Sequence, residues 1–358
     1  MRIGFFLVIV SLLLLGTFAL SGSAHMGPIS AHFDGYRFHN LQPIQRSFDD
    51  YLDWMLRREA GSWEAVTDAP IGSPPAERID GVDLRVTHVN HSTVLLQTQG
   101  MNILTDPIWS ERASPFGFIG PKRYHPPGIR FEDLPPIDLV LISHSHYDHM
   151  DLPTLRRLSD RDQPLILVGL GNAATLEGAG IENVEELDWW QTKALGDQMN
   201  VTGVPVQHWS SRSLVDRNRT LWLGYVVEAP GGPIYFAGDT GLGPHFAMTR
   251  ERFGAMRLAL LPIGAFRPRW FMKPVHISPD EAVEAHQILQ AKTSLAVHHS
   301  TFRLGEDGQH EAPRKLRAAI RKAGLSEDDF WIAEFGFGRW APPLSVPAED
   351  LPVQTAAR

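Results

Sequence analysis

The stretch His144-Ser145-His146-Tyr147-Asp148-His149 places four potential metal ligands within six residues. It follows an apolar run over residues 137–143, I-D-L-V-L-I-S, which reads as a buried strand. The cluster therefore lies on the loop leaving the C-terminal end of that strand. In an extended chain residues 144 and 146 share a face. On a tight loop the same spacing converges two imidazoles on one cation, and a carboxylate with a third imidazole on a neighbour. Neutral imidazoles and carboxylates suit zinc and similar divalent metals. A polar loop with chance histidines is a poor account of three His and one Asp in this order.

One cluster cannot close a two-metal site. Further candidates each follow an apolar or β-branched run. His208 follows residues 201–207 (V-T-G-V-P-V-Q), and His298 follows residues 294–297 (S-L-A-V). Asp239 follows residues 234–238 (I-Y-F-A-G) and precedes Thr240-Gly241. Taken singly, a strand-end His is more often a hydrogen-bonded structural residue, and an Asp before Thr-Gly is as often a turn residue. Beside the first cluster, all three read as ligands.

The whole pattern, H-x-H-x-D-H followed by a His, an Asp and a last His, resembles that of the metallo-β-lactamase superfamily. The resemblance narrows to the branch containing the N-acylphosphatidylethanolamine-hydrolysing phospholipase D. It is carried by Leu104-Thr105-Asp106-Pro107-Ile108, Leu134-Pro135-Pro136-Ile137-Asp138 and Glu186-Leu187-Asp188-Trp189-Trp190. Gln207-His208-Trp209, Phe236-Ala237-Gly238-Asp239-Thr240-Gly241 and Pro268-Arg269-Trp270-Phe271-Met272-Lys273 continue it. The match spans about residues 85–335 in unbroken order. The first cluster specifies only the superfamily; the Trp-Trp, P-R-W-F-M-K and L-P-P-I-D segments are more specific.

The resemblance implies an α/β fold, the αββα four-layer sandwich, with two mixed sheets packed together, helices outside and metals at one edge. Periodicity alone supports only a mixed α/β domain. The resemblance also implies two zinc ions per chain. His144, His146 and His208 would hold one, Asp148, His149 and His298 the other, and Asp239 would bridge them. His276 and the ligand Asp148 would be catalytic residues. His276, Arg269, Lys273, Trp270 and Phe271 would contact substrate, with Arg269 and Lys273 on phosphate oxygens. His299 stands where the family often has Trp, which implies a different pocket wall.

Two divalent cations about 3.5–4 Å apart can share a water-derived hydroxide whose pKa is lowered toward roughly 7. That chemistry suits phosphodiester hydrolysis, and it suits lactone or ester hydrolysis as well. The expected function is a dizinc, phospholipase D-like phosphodiesterase cleaving N-acylphosphatidylethanolamine-type lipids. The alternatives are an esterase or lactonase on the same scaffold, and a metal-bound sensor without turnover. All seven ligand positions hold ligand-type residues, which disfavours the sensor.

The chain has 358 residues, 43% of them hydrophobic, enough for a large core. Its net charge of −8, with no run of Lys or Arg, argues against a nucleic-acid partner. It has no cysteine, so nitrogen and oxygen must hold any metal and disulfides are excluded. The expected partner is a lipid or small ester or phosphodiester, with a peripheral membrane contact as a further reading.

Arg2 precedes an apolar stretch over residues 3–20, and Ser21-Gly22-Ser23-Ala24 follows. Residues 1–24 read as a signal peptide cleaved after Ala24 or as an uncleaved membrane anchor, so the chain is expected to be exported or membrane-anchored. Residues 25–80 read as a lead-in packing on the catalytic domain, residues 81–345 as the hydrolase domain and residues 346–358 as a tail. In the lead-in, residues 48–58 read as an amphipathic helix with Phe48, Tyr51, Leu52, Met55 and Leu56 on the packing face, and residues 69–75 as a linker. Asp151 is expected either to receive a ligand imidazole's second N–H or to cap the helix beginning at Leu152. Trp109, Phe116, Phe118 and Met272 are candidates for an apolar groove, with core packing as the default.

Overall fold

Strands with two covered faces read as unbroken apolar runs, because neither face meets water. The chain is rich in such runs. The computed structural model describes residues 24–344, so the expected leader (apart from Ala24) and the tail over residues 346–358 lie outside the described residues. In chain order the strands are β1 (Leu84–Asn90), β2 (Thr93–Thr98), β3 (Met101–Thr105), β4 (Leu139–Leu141), β5 (Leu165–Gly169), β6 (Val184–Leu187) and β7 (Thr192–Leu195). They continue with β8 (Met199–Val204), β9 (Gly224–Glu228), β10 (Ile234–Phe236), β11 (Leu258–Pro262), β12 (Thr293–Val297), β13 (Phe330–Trp331) and β14 (Gly338–Ala341). The helices are α1 (Phe48–Leu56), α2 (Leu152–Asp162), α3 (Ala173–Gly178), α4 (His245–Phe253), α5 (Arg269–Met272), α6 (Pro279–Ile288) and α7 (Glu311–Lys322).

The strands form two seven-stranded sheets, in the orders β14-β1-β2-β3-β4-β5-β6 and β13-β12-β11-β10-β9-β8-β7. Each sheet is antiparallel at one side and parallel at the other: β3 to β6 pair in parallel, as do β10 to β13. Alternate residues of each strand serve different layers. Leu96 and Leu141 face Phe236 and Leu260 between the sheets. Their neighbours Leu95 and Val140 turn outward onto Leu155 and Leu158 of α2. Tyr235 and Leu261 of the second sheet turn outward onto Val283 of α6 and Leu316 of α7. The result is the expected αββα sandwich. Truncating one of these middle-layer leucines to Ala should cost about 2–5 kcal/mol.

Local signals explain several boundaries. Gln99 and Gly100 both adopt positive φ, 52° and 70°, and turn β2 into β3. The Ser278 hydroxyl caps the Glu281 N–H while the Glu281 carboxylate accepts the Ser278 N–H at 2.8 Å, so the expected capping box opens α6. The strand expected over residues 137–143 is shorter. Its first residues follow Pro135-Pro136, and its last N–H, that of Ser143, is taken by the Asp106 carboxylate at 2.7 Å.

Two expectations for the lead-in need correction. The apolar face of α1 is turned to solvent: Met55 is 53% exposed and Leu56 81%, with Tyr51 and Leu52 also exposed. Trp54 is the residue that packs inward, stacked on Phe271 with ring centroids 4.9 Å apart. Nor is the segment over residues 69–75 a free linker. The Gly72 N–H bonds to the Gly128 carbonyl at 2.8 Å, and a side chain at Gly72 would overlap Gly336. Elsewhere the lead-in is held by Phe33 and Phe38, which are buried in the layer between the sheets.

Candidate metal centre

The ligand-type residues emerge together at one edge of the sandwich because their strands end there. The first cluster follows β4, His208 follows β8, Asp239 follows β10 and His298 follows β12. Glycines allow the close approach. Gly238 adopts φ of 57°, and a side chain there would overlap Ser143; one at Gly264 would overlap the His298 carbonyl.

The side chains converge in overlapping groups. His144, His146 and His208 form one; His91, Asp148, His149 and His298 form another. Asp239 joins His144 and His149 in a third group, and His208 and His276 in a fourth. His146 Nδ1 lies 2.8 Å from His144 Nε2 and 3.3 Å from His208 Nε2. Asp239 Oδ2 lies 3.1 Å from His298 Nε2, 3.3 Å from His149 Nε2, and 3.8 Å from both His208 Nε2 and His276 Nδ1. Asp148 Oδ2 lies 3.1 Å from His149 Nε2 and 3.3 Å from His298 Nε2.

Neighbouring groups fix which nitrogens face inward. His149 Nδ1–H donates to Asp106 Oδ2 at 2.6 Å. His144 Nδ1–H donates to the Ser143 hydroxyl at 2.9 Å, and that hydroxyl donates on to Asp106 at 2.6 Å. His208 Nδ1–H donates to the Val275 carbonyl at 3.0 Å. Each of these rings therefore presents the lone pair of Nε2 to the cluster. Lone pairs that point at one another repel unless a cation lies between them. Asp239 Oδ1, His149 Nε2 and His276 Nδ1 are also buried with no hydrogen-bond partner among the described residues. The donor set, all nitrogen and oxygen, fits divalent metal.

The electrostatics agree. Burial alone would raise both the Asp148 and the Asp239 carboxyls, but the facing imidazoles outweigh it and hold both well below the usual range. Burial holds His144 and His276 well below the usual imidazole value, and His146 and His208 at about 3. These four rings are thus neutral, as metal ligation requires. His149 and His298 go the other way without a cation: against burial, the facing Asp148 and Asp239 carboxylates raise His149 well above the usual imidazole value and His298 to about 9, so metal would have to displace a proton from each.

Sequence reading missed two residues of this centre. His91, in the turn between β1 and β2, places Nε2 3.0 Å from Asp148 Oδ2. Asp106, quoted only as part of a motif, is the carboxylate that orients the rings. Asp151 does not serve that purpose. It accepts from the Ser110 and Thr154 hydroxyls at 2.8 and 2.6 Å, and stands at the N-cap of α2.

A cavity of about 660 Å³ opens above the cluster. His146, Asp148, Asp239, His276 and His298 form its floor; Tyr51, Trp54, Phe271, Met272 and Leu304 are among its walls. The expected contacts of Phe271 and His276 fall on this cavity, whereas those of Arg269, Lys273 and Trp270 do not. Arg269 pairs with Glu281 at 2.6 Å and donates to the His276 carbonyl at 2.8 Å, so it holds the loop carrying His276 rather than a phosphate. Lys273 is exposed, and Trp270 borders a different cleft. Trp109 packs on Phe131, Phe118 is 81% exposed, and His299 packs against His88 and Phe335 away from the main cavity.

Fold and site together define a metal-dependent hydrolase of the metallo-β-lactamase fold. Residues 101–299 match the model of the beta-lactamase superfamily domain, and the chain belongs to that family. It is 38% identical over 265 residues to the N-acyl-phosphatidylethanolamine-hydrolyzing phospholipase D 1 of Caenorhabditis elegans, covering 71% of this chain and 74% of that protein. It is also 38% identical over 243 residues to the mitochondrial N-acyl-phosphatidylethanolamine-hydrolyzing phospholipase D of Saccharomyces cerevisiae, covering 66% of this chain and 52% of that one. Among solved structures, an isothiocyanate hydrolase from Delia radicum gut bacteria superposes with a TM-score of 0.56 at 22% identity, over 71% of this chain and 98% of that chain. That last likeness concerns the fold alone.

Proposed function

We propose that this hydrolase is a dizinc phosphodiesterase of the phospholipase D type, acting on lipids with an N-acylphosphatidylethanolamine-type head group. The observation that carries this reading is the cavity: a polar floor of ligand-type residues lies beneath walls of Tyr51, Trp54, Phe271, Met272 and Leu304. An acyl chain suits such walls and a phosphodiester suits such a floor. His144, His146 and His208 would hold one zinc, Asp148, His149 and His298 the other, with Asp239 shared. When bound, the ions would supply Lewis-acid charge to the phosphoryl oxygens and lower the pKa of water.

In the reaction a water oxygen bonds to phosphorus while the bond from phosphorus to the N-acylethanolamine oxygen breaks. One water proton ends on the departing alkoxide, and phosphatidic acid remains. His276 sits at the floor as a half-buried neutral ring, with one N–H and one lone pair, suited to moving that proton. The purified zinc-loaded protein should turn over N-acylphosphatidylethanolamine and an aryl phosphodiester faster than an acyl-homoserine lactone. Turnover of the lactone alone would replace the phospholipase reading with the lactonase one.

The protein would meet its substrate at a membrane surface. Leu52, Met55, Leu56 and Leu214 are exposed on segments that also contribute cavity-lining residues. No helix among the described residues is long and apolar enough to cross a membrane. Residues 1–24 would export the chain or tether it, a reading that rests on their sequence. The intact mass of native protein decides between them: loss of residues 1–24 means cleavage, and retention means an anchor.

A further inference from the structure

Two guanidinium groups share the cavity wall without a carboxylate partner among the described residues. Arg46 immediately precedes the Ser47 N-cap of α1, and Arg217 lies on the connection between β8 and β9. Both line the cavity. The half-buried Arg46 guanidinium lies 4.2 Å over the Phe271 ring and donates one hydrogen bond to the Phe271 carbonyl. Its Nε is buried with no partner among the described residues. The Arg217 guanidinium lies 4.3 Å over the Trp209 ring, and Trp209 in turn meets His146 edge to face with centroids 4.2 Å apart. One indole thus separates Arg217 from the metal cluster. Asp50 is near Arg46, but it closes the α1 capping box, accepting the Ser47 N–H at 2.7 Å and its hydroxyl at 2.9 Å.

This arrangement is costly as it stands. The chain carries 41 acidic residues against 33 Lys and Arg, yet neither cation forms an ion pair among the described residues, and the Asp148 and Asp239 carboxylates on the same cavity are engaged by imidazoles. Burial and then the charge of Arg217 lower Arg46 to about 10. Partial desolvation of Arg46 beside a like charge is unfavourable unless an anion offsets it, whereas Arg217 is exposed and adds charge rather than burial. A planar guanidinium fixed on an aromatic ring is well suited to charge-assisted hydrogen bonds with phosphate or carboxylate oxygens.

We propose that Arg46 and Arg217 form an anion-binding subsite on the cavity wall, separate from the metal cluster, which takes a phosphate or carboxylate group of a ligand in the cavity. The inference goes beyond the phospholipase reading, because an anion would bind here whichever bond the enzyme cuts. It also supplies the cationic recognition that Arg269 and Lys273 do not provide.

The test is calorimetric titration of inorganic phosphate into the metal-loaded full chain. Wild type should show two binding events, one at the metals and one at the arginine pair. R46Q/R217Q should weaken the second by about tenfold or more, as loss of a charge-assisted site does. Its metal content should not change, and R46K/R217K, which keeps the charge but loses the planar stacked fork, should bind between the wild type and the double Gln variant. If the double variant does not fold, R217Q decides, since the exposed Arg217 side chain makes no hydrogen bond to the described residues. An isotherm for R217Q or R46Q/R217Q identical to wild type overturns the proposal. Phosphatidylcholine vesicles with and without phosphatidic acid identify the source. Competition for the second event by phosphatidic acid assigns a lipid phosphate; its absence, with phosphate still bound, assigns a soluble one.

Discussion

His91 Nε2 lies 3.0 Å from Asp148 Oδ2, a buried contact that ties the turn between β1 and β2 to the loop after β4. His91 has φ of 44°, and its backbone is fixed on both sides. The His91 N–H donates to the Thr301 hydroxyl at 3.0 Å, and the His91 carbonyl accepts the His298 N–H at 2.8 Å. Burial first, and then His298, lowers the His91 ring to about 3, so it is neutral and can donate its Nε2 proton to Asp148.

His91 is therefore expected to position Asp148. His91→Ala should weaken metal at the Asp148, His149 and His298 group by roughly 10–100-fold, the range for removing a residue that orients a ligand. Metal at the His144, His146 and His208 group should be retained. Stepwise titration with a chelating dye measures both affinities. Two unchanged affinities would remove His91 from the centre.

Asp239 adjoins both groups. Fully loaded wild type should contain two zinc-class ions per chain by elemental analysis, and Asp239→Ala should lose affinity for both. A single ion in the loaded wild type, or two tightly held ions in Asp239→Ala, would overturn the shared-ligand assignment. Chelation should also lower the melting temperature, because a ligand present at 1,000 times its Kd stabilises the native state by about 4 kcal/mol.

His276→Ala should keep both metals and lower kcat on a lipid phosphodiester by roughly 100-fold, the lower end for proton transfer. An activated aryl phosphodiester, whose leaving group needs little protonation, should lose far less. Equal losses on the two substrates would make His276 a positioning residue instead.

His245, which is not among the ligand-type groups but bonds to the residue after Asp239, gives a pH prediction. Burial lowers its pKa from 6.5 to about 3, and its Nε2 lies 3.0 Å from the Thr240 hydroxyl. The unfolded chain takes up a proton below pH 6.5 while the native ring stays neutral. The contribution of His245 to stability is thus complete above pH 6.5 and is lost as pH falls from 6.5 toward 3. The unfolding free energy from urea titrations should decline over that window, by up to about 1.4 kcal/mol per pH unit for this one proton. His245→Gln should flatten the slope, and an unaltered slope would show that other groups set the acid limit.

The sequence was most informative where chemistry and local geometry coincide. The cluster from His144 to His149 is readable because all its members leave a single strand end. His208, Asp239 and His298 are readable because each terminates an apolar run. The Ser278–Glu281 capping box spans only a few residues and needs no tertiary contact. The apolar runs themselves announced buried strands, but a run buried on both faces loses its period of two, so the two-sheet architecture came from the family resemblance.

Tertiary structure decided what depends on distant residues and on side-chain direction. Asp106 orients His149 from another strand end, and Asp151, beside the cluster in sequence, turns instead to Ser110 and Thr154. Arg269 looked like a phosphate ligand from its type, yet Glu281 and the His276 carbonyl take its guanidinium. Arg46 and Arg217 share the cavity only because the lead-in folds back over the loop after β8. The same cause runs through each case. Residue type and spacing determine which atoms can bind a cation or an anion, while the packing of two sheets and their connections determines which of those atoms meet.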